Sequence, residues 1–339
     1  MISPSAKLRW GILGAARIAK KNWRAIGLAS NSTVTAVACR DPERNRRFIA
    51  ECQAEVAMDV LPTAFDSYES LLASDQVDAV YIPLPTGLRK EWVLRAAAAG
   101  KHVLCEKPCA TSTADLEEMI AACRKNKLQF MDGVMFMHNP RLAWFRARLD
   151  DQANFGRVTR IDSALCFSPP PAFYTQDIRV DSRYEPQGCL GDTGWYTIRL
   201  SLWAMNWQMP TEVSGRFLAQ AQRPDSPAPV PSDFSGELRF AGGASAGFHC
   251  SFYAARQNWG VISGTKDYLS IPDFVIPIGD DAKGTPDSQQ VHMVRNFTNL
   301  ARSGAPSDFW PDIALQTQRV MMACDEAART GKSVAVSGG

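Results

Sequence analysis

A lysine with an acidic neighbour stands at the end of a short apolar run, in the stretch Lys101-His102-Val103-Leu104-Cys105-Glu106-Lys107-Pro108. The run has the composition of a buried parallel strand, and Pro108 would end its pairing because proline has no backbone N–H. Open α/β sheets bind ligands at the carboxyl ends of their strands. Lys107 would present an ammonium group there, able to polarise a substrate oxygen. The alternative is a surface Glu-Lys pair at a strand end.

A second set of reactive side chains lies in Gly188-Cys189-Leu190-Gly191-Asp192-Thr193-Gly194-Trp195-Tyr196. Asp192 and Tyr196 are four residues apart at the start of a predicted helix, so their side chains would share one face. A phenol can exchange a proton with a substrate oxygen, but its free pKa is roughly 10, so a nearby cation such as Lys107 must favour the phenolate. The alternative makes Asp192 the helix cap and Tyr196 a core aromatic.

The first predicted strand and helix would position a phosphate group. Leu8-Arg9-Trp10-Gly11-Ile12-Leu13 predicts a strand, and Gly14-Ala15-Ala16-Arg17-Ile18-Ala19 predicts a turn that enters a helix. This is the dinucleotide-binding fingerprint with alanine at its second and third glycine positions. Gly14 permits the tight turn, and the helix start at Ala16, Arg17 and Ile18 offers free N–H groups to a pyrophosphate. An ordinary βα turn is the alternative, because the Ala16 methyl obstructs close approach of the backbone.

The end of the second predicted strand favours a phosphorylated cofactor. This strand is Thr33-Val34-Thr35-Ala36-Val37-Ala38-Cys39, about twenty residues further on, where the ribose contact is expected. NAD-preferring sites usually have an acid there, whereas this chain has Cys39 and Arg40, with Arg44 shortly after. A guanidinium can bind the 2′-phosphate of NADP through two hydrogen bonds. We therefore predict NADP in preference to NAD, with Arg40 as the main contact.

Strands and helices alternate through the rest of the first half. The predicted strands are 78–82, 102–105 and 129–131, and the predicted helices are 88–99 and 113–125. Such alternation predicts an α/β fold with a Rossmann-type doubly wound parallel sheet. Parallel strands end at one edge of a sheet, so Pro83, Leu84 and Thr86 would join Gly14 and Lys107 there and contact the cofactor.

Patterning changes after Asp132-Gly133, which predicts a dinucleotide-binding domain of residues 1–133 and a substrate-binding and oligomerisation domain of residues 134–339. Val158–Phe167 alternates at strand period, and Gly236–Tyr253 is typical of a hairpin. Further helices are predicted at 140–149, 195–205, 290–301 and 312–329. We expect an α+β domain with a mostly antiparallel, open-faced sheet. Its uncovered face would support a homodimer or homotetramer.

Charge, hydropathy and cysteine usage argue against a nucleic-acid-binding, a membrane-spanning or a metal-binding protein. The formal charge of +2, with scattered basic residues, gives no electrostatic case for a nucleic-acid partner. No apolar run approaches the roughly 18 to 20 residues of a membrane span. The nine cysteines are widely spaced and accompanied by only four histidines. They therefore predict reduced core thiols, no metal site and a cytoplasmic location.

Together these stretches, with Gly264-Thr265-Lys266, resemble the glucose–fructose oxidoreductase, inositol dehydrogenase and rhizopine-catabolism (Gfo/Idh/MocA) family over nearly the whole chain. The resemblance implies NADP-dependent hydride transfer to or from a small sugar-like molecule. Members similar to inositol dehydrogenase carry histidine where this chain has Tyr196. Tyrosine there is typical of glucose–fructose oxidoreductase, dimeric dihydrodiol dehydrogenase and nucleotide-sugar 3-ketoreductases. The last group is also similar around His138 and Arg179, which implies that these two side chains contact substrate.

The resemblance also implies roles for individual side chains. Tyr196 would exchange the proton, Lys107 would favour its phenolate, and Asp192 would orient a hydroxyl or the lysine. Glu106 would hold the strand end beside the nicotinamide rather than act as an acid. Arg89 departs from the histidine or asparagine common at its position.

Alternatives remain open at this stage. His138 is equally well explained as a packed structural histidine, and Arg179 as a salt-bridge residue. Among enzymes, a sugar or polyol dehydrogenase, a trans-dihydrodiol dehydrogenase and a ketosugar reductase all fit. A non-catalytic NAD(P)-binding regulator of the same fold is the alternative from another class. A regulator has no need of a paired lysine and phenol, so we favour an enzyme.

Overall fold

The chain, in a computed structural model that describes residues 7–278 and 288–336, forms two compact units. The first comprises Met1–Cys109, Ala114–Asn139 and Gly284–Ala314, and the second comprises Ala110–Thr113, Pro140–Lys283 and Leu315–Gly339. The chain therefore crosses between the units several times, with residues 110–113 in the second unit and residues 288–314 in the first.

The strands, in chain order, are β1 (Leu8–Leu13), β2 (Ser32–Ala38), β3 (Thr63–Phe65), β4 (Ala79–Ile82), β5 (His102–Cys105), β6 (Phe130–Asp132), β7 (Val158–Cys166), β8 (Glu212–Ala221), β9 (Val230–Arg239), β10 (Ser245–Ser251), β11 (Gly260–Gly264), β12 (Tyr268–Ile271) and β13 (Val334–Ala335). The α-helices are α1 (Arg17–Leu28), α2 (Pro42–Glu55), α3 (Tyr68–Ala73), α4 (Thr86–Ala98), α5 (Thr113–Lys125), α6 (Arg141–Asp150), α7 (Phe173–Gln176), α8 (Trp195–Ala204), α9 (Ser288–Arg302) and α10 (Phe309–Thr330).

The sheet of the first unit has six strands in the order β3-β2-β1-β4-β5-β6, and every pairing is parallel. The strand order reverses between β1 and β4, which is the point where open α/β sheets bind ligands. Its strands are fully buried at β4 and nearly so at β1 and β5, as their continuous apolar runs require. The predicted doubly wound sheet is confirmed.

Helix α9 packs on the core of this first unit. Met293, Val294 and Phe297 are all buried there, and the Phe297 ring lies 4.8 Å from the ring of Trp10 on β1. Ser32 at the start of β2 shares a 2.7 Å hydrogen bond with Thr298. Helix α9 thus packs in the first unit although it follows most of the second unit in the sequence. The apolar face of α9 packs with residues of α1 and β1 in one hydrophobic core.

The second unit contains a seven-stranded sheet in the order β12-β11-β7-β10-β9-β8-β13. Only the β7–β10 pair is parallel among its described strands, so the prediction of a mostly antiparallel sheet is confirmed. The sheet carries exposed apolar side chains, among them Leu218 on β8 and Tyr268 on β12, which are 54% and 61% exposed. The face of Tyr268 is the one that Arg160 shares through Ser263. Arg160 pairs with Asp162 and Glu237.

All nine cysteines are buried and free, which confirms the prediction of reduced core thiols. Burial raises the pKa of Cys52, Cys123 and Cys166 to about 12, so these thiols are poor nucleophiles at neutral pH. Separately, none of the helices in residues 7–278 and 288–336 combines the length and apolar character needed to cross a membrane.

Stability is expected to fall on mild acidification through His102, the first residue of β5. Its Nδ1 accepts a 2.9 Å hydrogen bond from the Gln129 N–H, and burial lowers its pKa from 6.5 to about 4. Between pH 6.5 and about 4, the His102 ring is therefore protonated in the unfolded chain and neutral in the folded chain. Stability contributed by the neutral ring should be lost as pH falls from 6.5 to about 4, by at most roughly 3 kcal/mol.

Urea denaturation of wild type and His102→Gln across that pH range measures this contribution. The variant should lose part of the pH slope, whatever its absolute stability. Parallel slopes for the two proteins would contradict the expected role of this ring.

Candidate functional site

The turn after β1 requires a glycine. Gly14 has φ +109°, and a Cβ built there would lie 3.1 Å from Leu84 Cδ2. Its N–H donates to the Ala38 carbonyl at the end of β2, which brings the ends of β1 and β2 together. The loop after β4, which includes the buried Pro83 and Leu84, thus approaches this turn closely.

Helix α1 begins without a side chain that caps it. Ala16 occupies the N-cap position, its side chain accepts no hydrogen bond, and the first turn contains no acid. The N–H groups that open this 12-residue helix therefore receive no compensation from a local carboxylate. Arg17 and Ile18 in the first turn are exposed. A phosphate anion is the ligand for which such a helix start is suited.

Helix α2 contrasts with α1, because it has its own acidic cap. Asp41 Oδ1 accepts hydrogen bonds from the N–H groups of Glu43 and Arg44, at 3.0 and 3.1 Å. The first carboxylate after β2 is thus engaged with its own helix. Cys39 is buried and Arg40 exposed, so the guanidinium is the polar group at this strand end that faces solvent.

A cleft of about 320 Å³ adjoins the turn after β1. Its lining includes four cationic side chains and one acid: Arg17, Lys20, Arg44, Arg47 and Glu51. Arg44 Nη2 also donates a 2.8 Å hydrogen bond to the Ala15 carbonyl, which ties α2 to the turn. An excess of positive charge beside an uncapped helix suits a phosphorylated dinucleotide. Lys20 and Arg47 add to the arginines that the sequence indicated.

The strand end at Glu106 is held by a buried hydrogen-bond network. Glu106 Oε1 accepts from the Tyr81 hydroxyl at 2.6 Å, and that hydroxyl accepts from Asn22 Nδ2 at 2.8 Å. The Lys107 N–H lies 3.3 Å from Glu106 Oε2. Burial and the Glu106 carboxylate raise the Tyr81 pKa well above its usual value. Tyr81 therefore remains a neutral donor to Glu106, and the role of Glu106 beside the nicotinamide stays a prediction.

Lys107 follows β5 at the carboxyl edge of the sheet and is partly buried. The peptide bond between Lys107 and Pro108 is cis. A Cβ at Gly133, which follows the neighbouring β6, would lie 3.0 Å from Glu106 Oε1, so the network also requires a glycine there. The loop that carries Lys107 is thus enclosed by buried polar and apolar groups. Thr86, at the start of α4, is buried near the same edge.

His138 ends a 3-10 helix, Met135–His138, in the first unit. Its ring stacks on Trp310 with centroids 4.3 Å apart, and Asn296 Nδ2 lies 3.5 Å from its Nδ1. These contacts are those of a packed histidine, one of the two alternatives that the sequence left open. Its contact with substrate stays a prediction.

In the second unit, Asp192 lies in a five-residue π-helix, Leu190–Gly194, that runs into α8. The interpretation of Asp192 as the helix cap is wrong, because Gly194 occupies the N-cap of α8 and no side chain caps it. Asp192 Oδ2 instead lies 3.0 Å from Arg179 Nε. This carboxylate, more than any other group, raises the pKa of the guanidinium. Tyr196, in the first turn of α8, is buried with 9% of its surface exposed.

Parallel pairing gathers Gly14, Arg40, Leu84 and Lys107 at the carboxyl edge of the first sheet. Ion pairing joins Arg179 to Asp192 in the second unit. Tyr196 and Lys107 belong to different units, and their joint action stays a prediction. In the described parts of the chain, no group of three or more His, Cys, Asp or Glu side chains is arranged to hold a metal ion.

Comparison with known proteins identifies both halves of the chain. Residues 8–134 match the oxidoreductase family with an NAD-binding Rossmann fold, and residues 146–270 match the GFO/IDH/MocA C-terminal domain. D-xylose 1-dehydrogenase (NADP(+)) 2 of Haloferax volcanii is 33% identical over 346 residues, which cover 96% of this chain and 99% of the relative. Trans-1,2-dihydrobenzene-1,2-diol dehydrogenase of Xenopus laevis is 29% identical and covers 79% of this chain and 76% of its own.

A solved structure extends this likeness to three dimensions. The Actinomadura kijaniata 3-ketoreductase, in complex with TDP-benzene and NADP, superposes with a TM-score of 0.79 at 26% identity. The match covers 96% of this chain and 98% of the ketoreductase. These relatives are sugar-related or diol-related NAD(P)-dependent oxidoreductases. The chain belongs to the Gfo/Idh/MocA family and is an NAD(P)-dependent dehydrogenase or reductase.

Proposed function

We propose that the protein uses NADP to transfer a hydride to or from a sugar, polyol or sugar derivative, at a secondary alcohol or ketone carbon. The observation that carries the proposal is Lys107, held by a buried network at the same sheet edge as the phosphate-binding turn. The Haloferax volcanii relative is named as an NADP-dependent xylose dehydrogenase, and the ketoreductase structure contains NADP. Both names support this choice of chemistry.

The cofactor-binding residues follow from the fit of the first unit to a dinucleotide. The turn at Gly14 and the amides from Ala16 to Ile18 would hold the diphosphate. Arg40, assisted by Arg44, would bind the 2′-phosphate. Cys39, beside Arg40 at the end of β2, would contact the same adenosine ribose. The nicotinamide half would be held at the remaining strand ends by Pro83, Leu84, Thr86, Glu106 and Lys107. When bound, the nicotinamide supplies or accepts the hydride.

The chain's own residues would manage the proton and the substrate oxygen. Tyr196 would give its hydroxyl proton to the substrate oxygen in reduction and accept it in oxidation. Lys107 would polarise that oxygen and favour the phenolate of Tyr196. Asp192 would accept a hydrogen bond from a neighbouring substrate hydroxyl, with Arg179 holding the carboxylate in place.

Charge around Arg179 supports a neutral substrate. Its guanidinium is paired with two carboxylates, Asp192 at 3.0 Å and Asp177 at 3.3 Å, so the three groups carry one net negative charge. A diphosphate would have to break at least one of these pairs and meet the other carboxylate. A sugar hydroxyl can instead donate to a carboxylate and accept from the guanidinium without disrupting them. We therefore favour a free sugar or polyol over a nucleotide sugar.

The test is hydride exchange by the purified protein with a substrate panel, using oxidised NADP for the alcohols and NADPH for the ketosugar. D-Xylose, D-glucose, myo-inositol, a trans-dihydrodiol and a nucleotide 3-ketosugar cover the open alternatives. Absorbance of the reduced nicotinamide measures turnover, and turnover with a free sugar or polyol is the expected result. Tight NADP binding without turnover on any member would instead favour the regulatory alternative.

Cofactor preference should depend on Arg40. Replacing Arg40 with aspartate is expected to weaken NADP binding by about 10- to 100-fold, because a charge-assisted contact to the 2′-phosphate is lost and repulsion is added. NAD has no 2′-phosphate, so its affinity should change by less than about threefold. Titration calorimetry with both cofactors measures the two affinities.

Arg46→Asp is the matched control, since Arg46 is two-thirds exposed on α2 and pairs with Glu43. It should leave both affinities nearly unchanged. An Arg40→Asp variant that retained the wild-type preference for NADP would overturn the cofactor assignment.

The open face of the second sheet supports a proposal of self-association. Leu218 on β8 and Tyr268 on β12 are exposed on this sheet, which also carries the ion pair of Arg160 and Glu237, and symmetric pairing would bury them. We propose a homodimer or homotetramer formed through this face. The nine buried free thiols support a cytoplasmic location for the assembly.

A further inference from the structure

Arg89 is a buried cation in the first unit, near the amino end of α4. Only 5% of its surface is exposed. Burying a guanidinium is costly unless its N–H groups are hydrogen-bonded. Its partners therefore show what the chain gains from placing an arginine at this position.

Those partners are backbone carbonyls on two different loops. Arg89 Nε donates to the Leu84 carbonyl at 2.7 Å, in the loop after β4. Arg89 Nη1 donates to the carbonyls of Glu106, at 3.0 Å, and Pro108. The two latter carbonyls belong to the residues immediately before and after Lys107. One guanidinium thus binds the peptide on both sides of the lysine and joins it to the neighbouring loop.

We propose that Arg89 is a positioning residue that fixes the backbone of Lys107 and thereby the direction of its ammonium group. This inference rests on the proposed function, in which Lys107 acts on the substrate oxygen. Side-chain direction follows from the backbone only if the peptide planes on either side are held. Glu106 restrains the loop through its carboxylate, and Arg89 restrains it through main-chain oxygens on both sides.

Arginine is the side chain suited to this task. Its planar guanidinium offers five N–H donors at fixed angles, so it can reach several carbonyls at once. A lysine ammonium is a single point on a flexible stem, and a histidine ring has two donors at most.

The first test compares Arg89→Met and Arg89→Lys with wild type in steady-state kinetics, using the panel substrate with the highest turnover. We expect kcat to fall by roughly 100-fold in Arg89→Met, since a misplacement near 1 Å can cost that much. Arg89→Lys should retain more activity than Arg89→Met. KM for NADP should change by less than about threefold, because the diphosphate and 2′-phosphate contacts lie elsewhere.

A double-mutant cycle separates positioning of Lys107 from a general structural role. In a Lys107→Ala background, Arg89→Met should change kcat by less than about threefold. An equal 100-fold loss in both backgrounds would mean that Arg89 acts independently of the lysine, and would overturn the inference. If Lys107→Ala alone left kcat unchanged, the proposed function would fail instead.

A readout without turnover keeps the inference testable in that case. Amide hydrogen exchange of the segment 105–109 should quicken by at least about tenfold in Arg89→Met, and by less in Arg89→Lys. Arg95→Met on the same helix is the control, because Arg95 is half exposed and pairs with Glu69 and Glu91. It should leave both exchange and kcat unchanged. Unchanged exchange in Arg89→Met, with the protein folded, would also overturn the inference.

Discussion

Tyr196→Phe is expected to lower kcat by roughly 100- to 10,000-fold, the usual contribution of a positioned acid or base. The substitution removes one hydroxyl and keeps the ring. Tyr196 is buried in the first turn of α8, where phenylalanine has the same shape, so the fold should be maintained. KM for NADP should stay within about twofold, because the proposed diphosphate contacts come from the first unit. Steady-state kinetics with the best panel substrate and a thermal melt measure these quantities.

Tyr268→Phe is the matched control for loss of a phenol. Tyr268 is 61% exposed on β12 in the same unit, and no role in the reaction is proposed for it. It should retain wild-type kcat. A Tyr196→Phe variant with more than half of the wild-type turnover would show that the proton passes elsewhere, and His138 would be the next candidate.

Lys107→Ala is expected to lower kcat by about 100- to 1,000-fold. The loss combines a missing charge beside the substrate oxygen with a phenolate that is no longer favoured. Small primary amines added to the solution should restore part of the activity, since they can occupy the space of the missing ammonium. Lys107→Arg should remain impaired, because a guanidinium has a different shape and holds its proton more tightly.

Lys90→Ala provides the control for loss of a lysine. Lys90 lies on α4 and pairs with Asp115 and Glu118 at the surface, where such pairs contribute little. Its kcat should equal that of wild type. If Lys107→Ala instead weakened NADP binding and kept kcat at saturation, the lysine would be a cofactor contact without a part in proton transfer.

The first sheet could be predicted because its information is local. Each of the five predicted strands is a short apolar run followed by glycine, proline or a charged residue, and alternation with helices implies parallel pairing. Strand β3 (Thr63–Phe65) has only three residues and was not predicted. Parallel pairing then brings Gly14, Arg40 and Lys107 to one edge although they are far apart in sequence. The structure confirms this edge.

The interactions that the sequence did not identify act over long range or through the backbone. Arg89 donates to three backbone carbonyl oxygens. Every residue has such a carbonyl, so residue types cannot indicate which ones an arginine will bind. Arg179 and Asp192 are joined by an ion pair between segments that a sequence pattern cannot align. Strand β8 was missed because its side chains alternate between partly and fully exposed, without the apolar face that marks a strand.

For helix α9 the sequence predicted the helix and did not identify its packing partner. Its amphipathic pattern predicted a helix, but periodicity does not identify the surface that the apolar face covers. Only the fold assigns Phe297 to the Trp10 side of the first unit. The interpretation of Asp192 as a cap failed for a related reason. A π-helical turn shifts where α8 begins, and such turns have no recognised residue signature.

The return of α9 to the first unit also has a consequence for how the chain is made. A ribosome that has synthesised β1 to β6 still has to translate more than 150 residues before Met293, Val294 and Phe297 emerge. Until then the side chains of α9 are absent, and Trp10 and the apolar residues around it stay partly exposed to solvent. Completion of the core of the first unit therefore waits until residues 293–297 have been translated, so a fragment that ends before them would expose this apolar surface.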